Sequence, residues 1–281
     1  MSRDDPKATR RLLCDLTQSW SAVGGGVGTY LRHKRQHILA NTAHRHLLIV
    51  PGDDDSIVEE GRTITATIAS PRVPGSPNYR LLLRNGRVRE VLERFGPDLI
   101  ECQDAYNLPW AAIAHARRHP GTALVAAYMT DFPTVYVERP LARVVGETLA
   151  GAASRLSYGY CRRLYGKFDL TFALSENGGA AKLRDLGVDP VDVVPLGCEL
   201  GEFSPERRDP ALRAALGVAV DAPLLIYAGR LDGEKRAQAV VEAFAQLPDR
   251  LGAHLVLLGD GPLREEFIAR GLPRFHAPGY V

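Results

Sequence analysis

An excess of charge of either sign is missing from this sequence: 35 lysines and arginines stand against 33 aspartates and glutamates, a net of +2. Nucleic-acid binding normally brings a strong basic excess on one face, so the balance does not point to that class of partner. Long apolar runs are also missing. None approaches the ~20 residues a bilayer-spanning helix needs, and the charged start MSRDDPKATRR lacks the apolar stretch of a secretory signal. Cysteine is scarce and scattered. Cys14, Cys102, Cys161 and Cys198 make no C-x-x-C pair, which excludes a disulfide frame or zinc knuckle and suits the reduced thiols of a cytoplasmic protein. The sequence contains no G-x-x-x-x-G-K-[ST] and no G-x-S-x-G, so neither P-loop phosphate chemistry nor a hydrolase elbow is expected. His33 with His37 and His115 with His119 have i, i+4 spacing, but no third ligand or HExxH frame accompanies them, so no metal site is expected. Asp53, Asp54 and Asp55 follow Pro51-Gly52 and read as a solvated acidic turn.

What is present is an alternation of strand-like and helix-like segments, the pattern of an α/β protein with a mostly parallel sheet. Strands are expected at 11–16, 46–50, 63–69, 123–129, 169–174 and 191–197, and a turn followed by a strand at 96–102. Helices are expected at 27–39, 79–95, 141–165 and 177–186, with a proline-rich loop at 70–78. Residues 195–210 have the prolines, glycines and mixed charges of a linker, which divides the chain into 1–195 and 196–281. Strands at 224–229 and 254–259 and helices at 235–246 and 262–270 then restart the alternation.

Two motifs carry chemistry. In SWSAVGGGVGTYL, residues 19–31, Gly24, Gly25 and Gly26 lie between the first strand and a helix beginning at Val27. Glycines let backbone N–H groups approach a ligand closely, and the helix N-terminus adds partial positive charge, so the loop suits a phosphate or a sugar hydroxyl. Gly24, Gly26 and Gly28 also form a loose dinucleotide fingerprint, although residues 17–23 separate them from the strand; an NAD-type oxidoreductase is the alternative that this leaves. In YAGRLDGEK, residues 227–235, a strand ends at Gly229 and the loop presents Arg230 and Lys235. Two cations beside a helix start make a diphosphate clamp. The competing reading is a solvated loop whose charges pair with Asp232 and Glu234. The next strand ends in LLGDGP, placing Gly259 at an adjacent strand end, where open α/β sheets bind ligands.

AGRLDGEK followed by LVLLGDGPLREE resembles the second-domain signature of glycosyltransferase family 4, and GGGVG resembles that family's first-domain glycine loop. FGPDLIEC, AYMTDFPTVY, LSENGGAAKLRDLGV and VVPLGCELGEFSP are similar to its successive segments, in order, from Arg11 to the end. AYMTDFPT is most similar to members that move mannose or other hexoses onto lipids or small molecules. The resemblance implies the GT-B arrangement: two Rossmann-like domains facing across a cleft, the first for the acceptor, the second for a UDP- or GDP-linked sugar. Transfer would proceed with retention and with neither cofactor nor metal. Arg230 and Lys235 would hold the donor diphosphate as it departs. Gly24, Gly25, Gly26 and Val27, with Met129 and Asp131, would line the sugar and acceptor side, and Gly229 and Gly259 the nucleotide side. Many members have a histidine where Met129 stands. Methionine cannot donate to a sugar hydroxyl, so that role either passes to Asp131 or is lost, and a loss would leave a non-catalytic binding protein. The family's acidic signature, a pair of glutamates, is expected beyond Val281, so the second domain is expected to be incomplete. Arg32–Arg35 and the group Arg155, Arg162, Arg163 and Lys167 are read as solvated helix faces, with attraction to anionic lipid at the inner membrane face as the sharper alternative.

Overall fold

The computed structural model describes residues 10–21, 25–73, 76–198, 200–233 and 235–280. The chain divides into two compact units, Met1–Gly197 and Cys198–Val281.

The first unit is built on an eight-stranded sheet. Its strands are β1 (Leu12–Leu16), β2 (Arg45–Gly52), β3 (Ser56–Glu60), β4 (Thr63–Ala69), β7 (Leu99–Cys102), β8 (Ala123–Tyr128), β9 (Leu170–Ala173) and β10 (Val191–Val193), in the order β10-β9-β8-β7-β1-β2-β4-β3. All neighbours pair in parallel except β3, which runs antiparallel to β4. Parallel strands covered on both faces read as continuous apolar runs, and β2 does so, with residues 46–51 all buried. At the sheet edge β3, SIVEE, is mostly exposed, and its charges discourage further pairing. The core includes Leu16, Leu47, Ile49, Ile64, Ile100 and Leu124 from the strands, and Leu92, Leu108 and Leu164 from covering helices.

The helices are α1 (Gly26–Asn41), α2 (Asn85–Phe95), α3 (Leu108–Ala116), α4 (Arg139–Val145), α5 (Glu147–Tyr165) and α6 (Ala181–Asp185). Three differ from expectation. The helix expected at 79–95 begins only at Asn85, because Tyr79 and Arg80 belong to a small hairpin of β5 (Arg72–Val73) and β6 (Ser76–Arg80) that occupies the expected proline-rich loop. Arg80 pairs with Asp53 and Arg84 with Asp55 at 2.7 Å, so the acidic turn anchors this segment rather than only facing solvent. The helix expected at 141–165 breaks at Gly146, whose φ of 81° lies outside the helical region. The strand β3 and the helix α3 were not anticipated at all.

The second unit has a parallel three-stranded sheet of β11 (Leu224–Ala228), β12 (His254–Leu258) and β13 (Phe275–Gly279), in that order. The helices α7 (Pro210–Ala215), α8 (Ala237–Ala245) and α9 (Arg264–Ala269) accompany it. Leu231, Val241, Phe244, Leu255, Leu257 and Phe267 form its core.

Candidate functional site

In the first sheet β1 is followed in sequence by β2 on one side, while the chain returns to β7 on the other. The loops leaving the C-terminal ends of β1 and β7 therefore diverge, which opens the crevice where sheets of this kind bind ligands. The glycine loop leaves β1 at this point. Of its sequence-expected residues, Gly24 lies outside the described residues. Gly25 caps α1 with a φ of 115°, and a Cβ there would sit 3.0 Å from the Tyr79 hydroxyl. Gly26 opens the helix with nothing within 4 Å of a Cβ position, and Val27 follows in the first turn.

A buried carboxylate that sequence reasoning missed, Asp104, organises the base of this loop. Its Oδ2 accepts from the Thr17 hydroxyl at 2.8 Å and the Gln18 N–H at 2.5 Å, and its Oδ1 from the Ser19 hydroxyl at 2.5 Å. Burial pushes the Asp104 carboxyl up, and the hydrogen bonds from Ser19, Gln18 and Thr17 offset only part of that. Gln18 extends the lattice: its Oε1 accepts from the Leu82 N–H and its Nε2 donates to Asn107, which in turn donates to Leu82 O and Asn85. The signal for Asp104 was an acid two residues past a buried strand.

Beneath the loop, α1 is tied to the sheet by buried charge. Lys34 Nζ lies 2.7 Å from Asp15 and 2.6 Å from Glu101, and Tyr30 donates to Glu101 at 2.9 Å. The Arg35 guanidinium can only donate, and it meets Nδ1 of His46 at 2.8 Å, so the His46 proton sits on Nε2 and reaches Asp15 at 2.6 Å. Burial pushes Asp15 up, but Lys34 and His46 override it and hold the carboxyl at about 2. Burial disfavours the Lys34 ammonium, yet Asp15 and Glu101 raise its pKa well above the ordinary lysine value. This network fixes the direction in which the α1 N-terminus points.

Met129 and Asp131 follow β8. Asp131 accepts from the hydroxyls of Tyr128 (2.9 Å) and Tyr158 (3.0 Å) and from Lys182 Nζ (2.5 Å). Burial raises its pKa, and Lys182 with the tyrosines reverses the sign, so the carboxylate is held below its ordinary range. Next to it stands an aromatic group that sequence reasoning did not single out. The Tyr106 ring centre lies 5.1 Å from Phe132 and 5.4 Å from Tyr136, and Tyr160 lies 6.3 Å from Phe132.

In the second unit the two glycine turns lie side by side. Gly229 N donates to Leu258 O at 2.9 Å and Leu231 N to Asp260 O at 3.0 Å. Arg230 makes an ion pair with Asp232 at 3.0 Å, and the Lys235 backbone N–H donates to the other Asp232 oxygen at 2.9 Å. One carboxylate thus organises the loop carrying both expected cations. Lys235 does not open a helix, as expected from sequence: it lies in a turn, Arg236 has a φ of 53°, and α8 starts at Ala237. Arg230 and Lys235 share one loop at the C-terminal edge of β11, and Gly259 stands at the same edge of the neighbouring β12.

Among the described residues no helix is long and apolar enough to cross a membrane. The chain is 30% identical over 238 residues to a GDP-mannose-dependent alpha-(1-6)-phosphatidylinositol dimannoside mannosyltransferase of Mycobacterium tuberculosis, covering 83% of this chain and 58% of that protein. It is 28% identical over 246 residues to a GDP-mannose-dependent alpha-mannosyltransferase of Corynebacterium glutamicum, covering 85% and 55%. The chain thus spans a little over half the length of these curated relatives. Among solved structures, a sucrose-phosphate synthase from Thermosynechococcus elongatus matches with a TM-score of 0.68 at 17% identity, over 97% of this chain and 71% of that one. HepE of Anabaena, in complex with UDP, matches with a TM-score of 0.62 at 17% identity, over 97% and 69%. At such identities these two structures speak for a shared α/β fold. The model of Glycosyltransferase Family 4 matches residues 24–202, well over half of the chain, and the chain belongs to that family.

Proposed function

We propose that the chain carries the glycosyltransferase chemistry of its family, moving a hexose, mannose by preference, from a GDP-linked donor to a lipid or small-molecule acceptor with retention at the anomeric carbon. The observation that carries this reading is the pair of adjacent glycine turns after β11 and β12, with Arg230 and Lys235 in the first of them. When the bond to the anomeric carbon breaks, negative charge grows on the departing diphosphate. Cations already placed there stabilise the transition state more than the ground state, and they supply the positive charge that a divalent metal would otherwise bring. Asp232 holds Arg230 and the Lys235 backbone before donor arrives, and the diphosphate takes over the cations by competition.

The glycine loop and the aromatic group near Asp131 form the acceptor side of this reading. With methionine at position 129, Asp131 is the carboxylate that follows the β8 end, an acceptor for sugar hydroxyls. Lys182 and Tyr158 keep it ionised and oriented. Peripheral contact with an anionic bilayer fits the exposed Val144, Leu149 and Leu156 around the α4–α5 break, with Arg155 on the same helix.

Calorimetric titration with GDP, UDP and NAD tests the proposal. GDP should bind and Arg230→Ala should weaken it by about tenfold or more, the loss expected when a charged contact to diphosphate is removed. Equal GDP affinity in wild type and Arg230→Ala, or preferential NAD binding, would overturn the assignment. GDP binding with no transfer from GDP-mannose to any lipid or glycan acceptor would leave a binding protein.

A further inference from the structure

We infer that Glu93, His115 and His119 form a site for a divalent transition-metal cation of the zinc class, built across α2 and α3. This site is independent of the transfer reaction. The helices α2 and α3 end where the chain turns into β7 and β8, at the sheet edge opposite the glycine loop, so an ion here touches none of the groups discussed above.

The geometry starts from the helical turn. His119 N donates to His115 O at 3.0 Å, which continues the α3 spiral past its last regular residue. The two imidazoles therefore stand on one face, with ring centres 4.3 Å apart. The third ligand, absent from the local sequence, arrives from the last turns of α2. Glu93 Oε1 lies 3.3 Å from His115 Nδ1, and its Oε2 lies 2.7 Å from His119 Nε2. One ligand atom from each residue lies within 4.8 Å of the other two. Zinc bonds of about 2.0–2.2 Å bring such atoms to roughly 3–3.5 Å from one another, so the side chains need only small rotations.

The three groups divide the work. His115 is fully buried, and its Nε2 has no hydrogen-bond partner. The polar contact of that ring is with Glu93, which makes it a pre-positioned ligand. Glu93 and His119 are half exposed at the rim, leaving the remaining coordination positions to water. On binding, each imidazole turns its lone pair to the ion and carries its proton on the other nitrogen. Two imidazoles and a carboxylate suit zinc, nickel or copper better than calcium or magnesium. Arg118 is the built-in competitor: it donates to Glu93 Oε1 at 2.6 Å, and its exposed side chain must swing away. Arg89 and Arg94 line the adjoining basin with Glu90 and add to that opposition. The ion would replace the hydrogen bonds of Glu93 to His115, Arg118 and His119 with a tighter cross-link between the two helices, so its readout is stability.

Zinc chloride is titrated into metal-stripped 281-residue protein, followed by calorimetry and thermal unfolding. Cobalt(II) serves as a visible-absorption probe of the ligand set. Wild type should take up one equivalent and melt at higher temperature. His119→Ala and Glu93→Gln should each lose about tenfold or more in affinity, as removal of a metal-site residue does. Arg118→Ala should bind more tightly, because the competitor is gone. His276→Ala, which breaks the separate His254–His276 contact, should bind as wild type. Both ligand positions changed in the test are solvent-accessible, so these variants keep the fold. No saturable uptake by wild type, or uptake unchanged in His119→Ala, would overturn the site.

Discussion

A Cβ placed on Gly259 would lie 2.2 Å from the carbonyl oxygen of Gly229. The two turns that leave β11 and β12 are in backbone contact, and only residues without side chains allow it. Gly261 stands in the same relation to Leu231, whose carbonyl oxygen would lie 2.5 Å from an added Cβ. The φ of 133° at Gly259 adds a second obstacle to any L side chain.

Gly259→Ala should therefore destabilise the second unit by about 2–3 kcal/mol or more, the scale of overpacking against an immovable neighbour. Chemical unfolding followed by a probe in the second unit measures it, and a variant as stable as wild type would contradict the close approach.

The glycine loop separates two roles. Gly25→Ala meets both a left-handed φ and the Tyr79 hydroxyl at 3.0 Å, and should cost about 1–3 kcal/mol in stability. Gly26→Val has open space for its side chain. It should unfold close to wild type, less the modest penalty of a branched residue at a helix start, and lose transfer only if ligand backbone contact runs through this position. Paired melting and transfer assays on the two variants distinguish fold from ligand contact.

Asp104→Ala leaves three buried or half-buried donors, Thr17, Gln18 and Ser19, without their acceptor. Unmet buried donors cost about 1–3 kcal/mol each, so urea unfolding should show a loss of several kcal/mol. Asp104→Asn keeps an acceptor oxygen for the Gln18 N–H and should cost clearly less.

Acid should weaken the α1 network in a defined direction. The Asp15 carboxyl is held at about 2 in the folded chain against 3.8 as its ordinary value. A depressed carboxylate contributes stability that is complete above its unfolded value and is lost as pH falls through the folded one. Unfolding free energy should therefore fall between about pH 4 and 2, and Asp15→Asn should flatten this part of the profile while lowering stability at pH 7. An unchanged acid profile in Asp15→Asn would remove Asp15 as the titrating group.

Early in the second unit, Arg207 and Arg208 are exposed at the end of a single 3-10 turn, Pro205–Arg207, just ahead of α7. Limited trypsin digestion should cut there first, since exposed irregular backbone adapts most easily to a protease. The surviving fragment ending near Arg207 should melt cooperatively on its own. Early cleavage inside the first unit would contradict its compactness.

Sequence periodicity by itself determined the α/β class, nearly every parallel strand and the order of glycine turns, because buried parallel strands are short apolar runs and strand-to-helix turns need glycine wherever backbone must bend back. The ordered motifs determined the family for the same reason: spacing along the chain is preserved where strand ends must converge on a ligand. Tertiary structure alone decided which charges meet. Asp104 under the glycine loop, Lys34 between Asp15 and Glu101, Lys182 on Asp131 and Glu93 beside two histidines all pair residues at least 19 positions apart in sequence. Side-chain pairing across such separations depends on strand order and helix docking, and neither leaves a periodic trace in the sequence. The hairpin at 72–80 was hidden likewise, since its prolines suggest a loop and its order draws on partners outside it: Arg80 on Asp53, 27 positions away, and on the nearer Ser70 carbonyl. Local chemistry settles what each segment can be, and long-range packing settles which groups it faces.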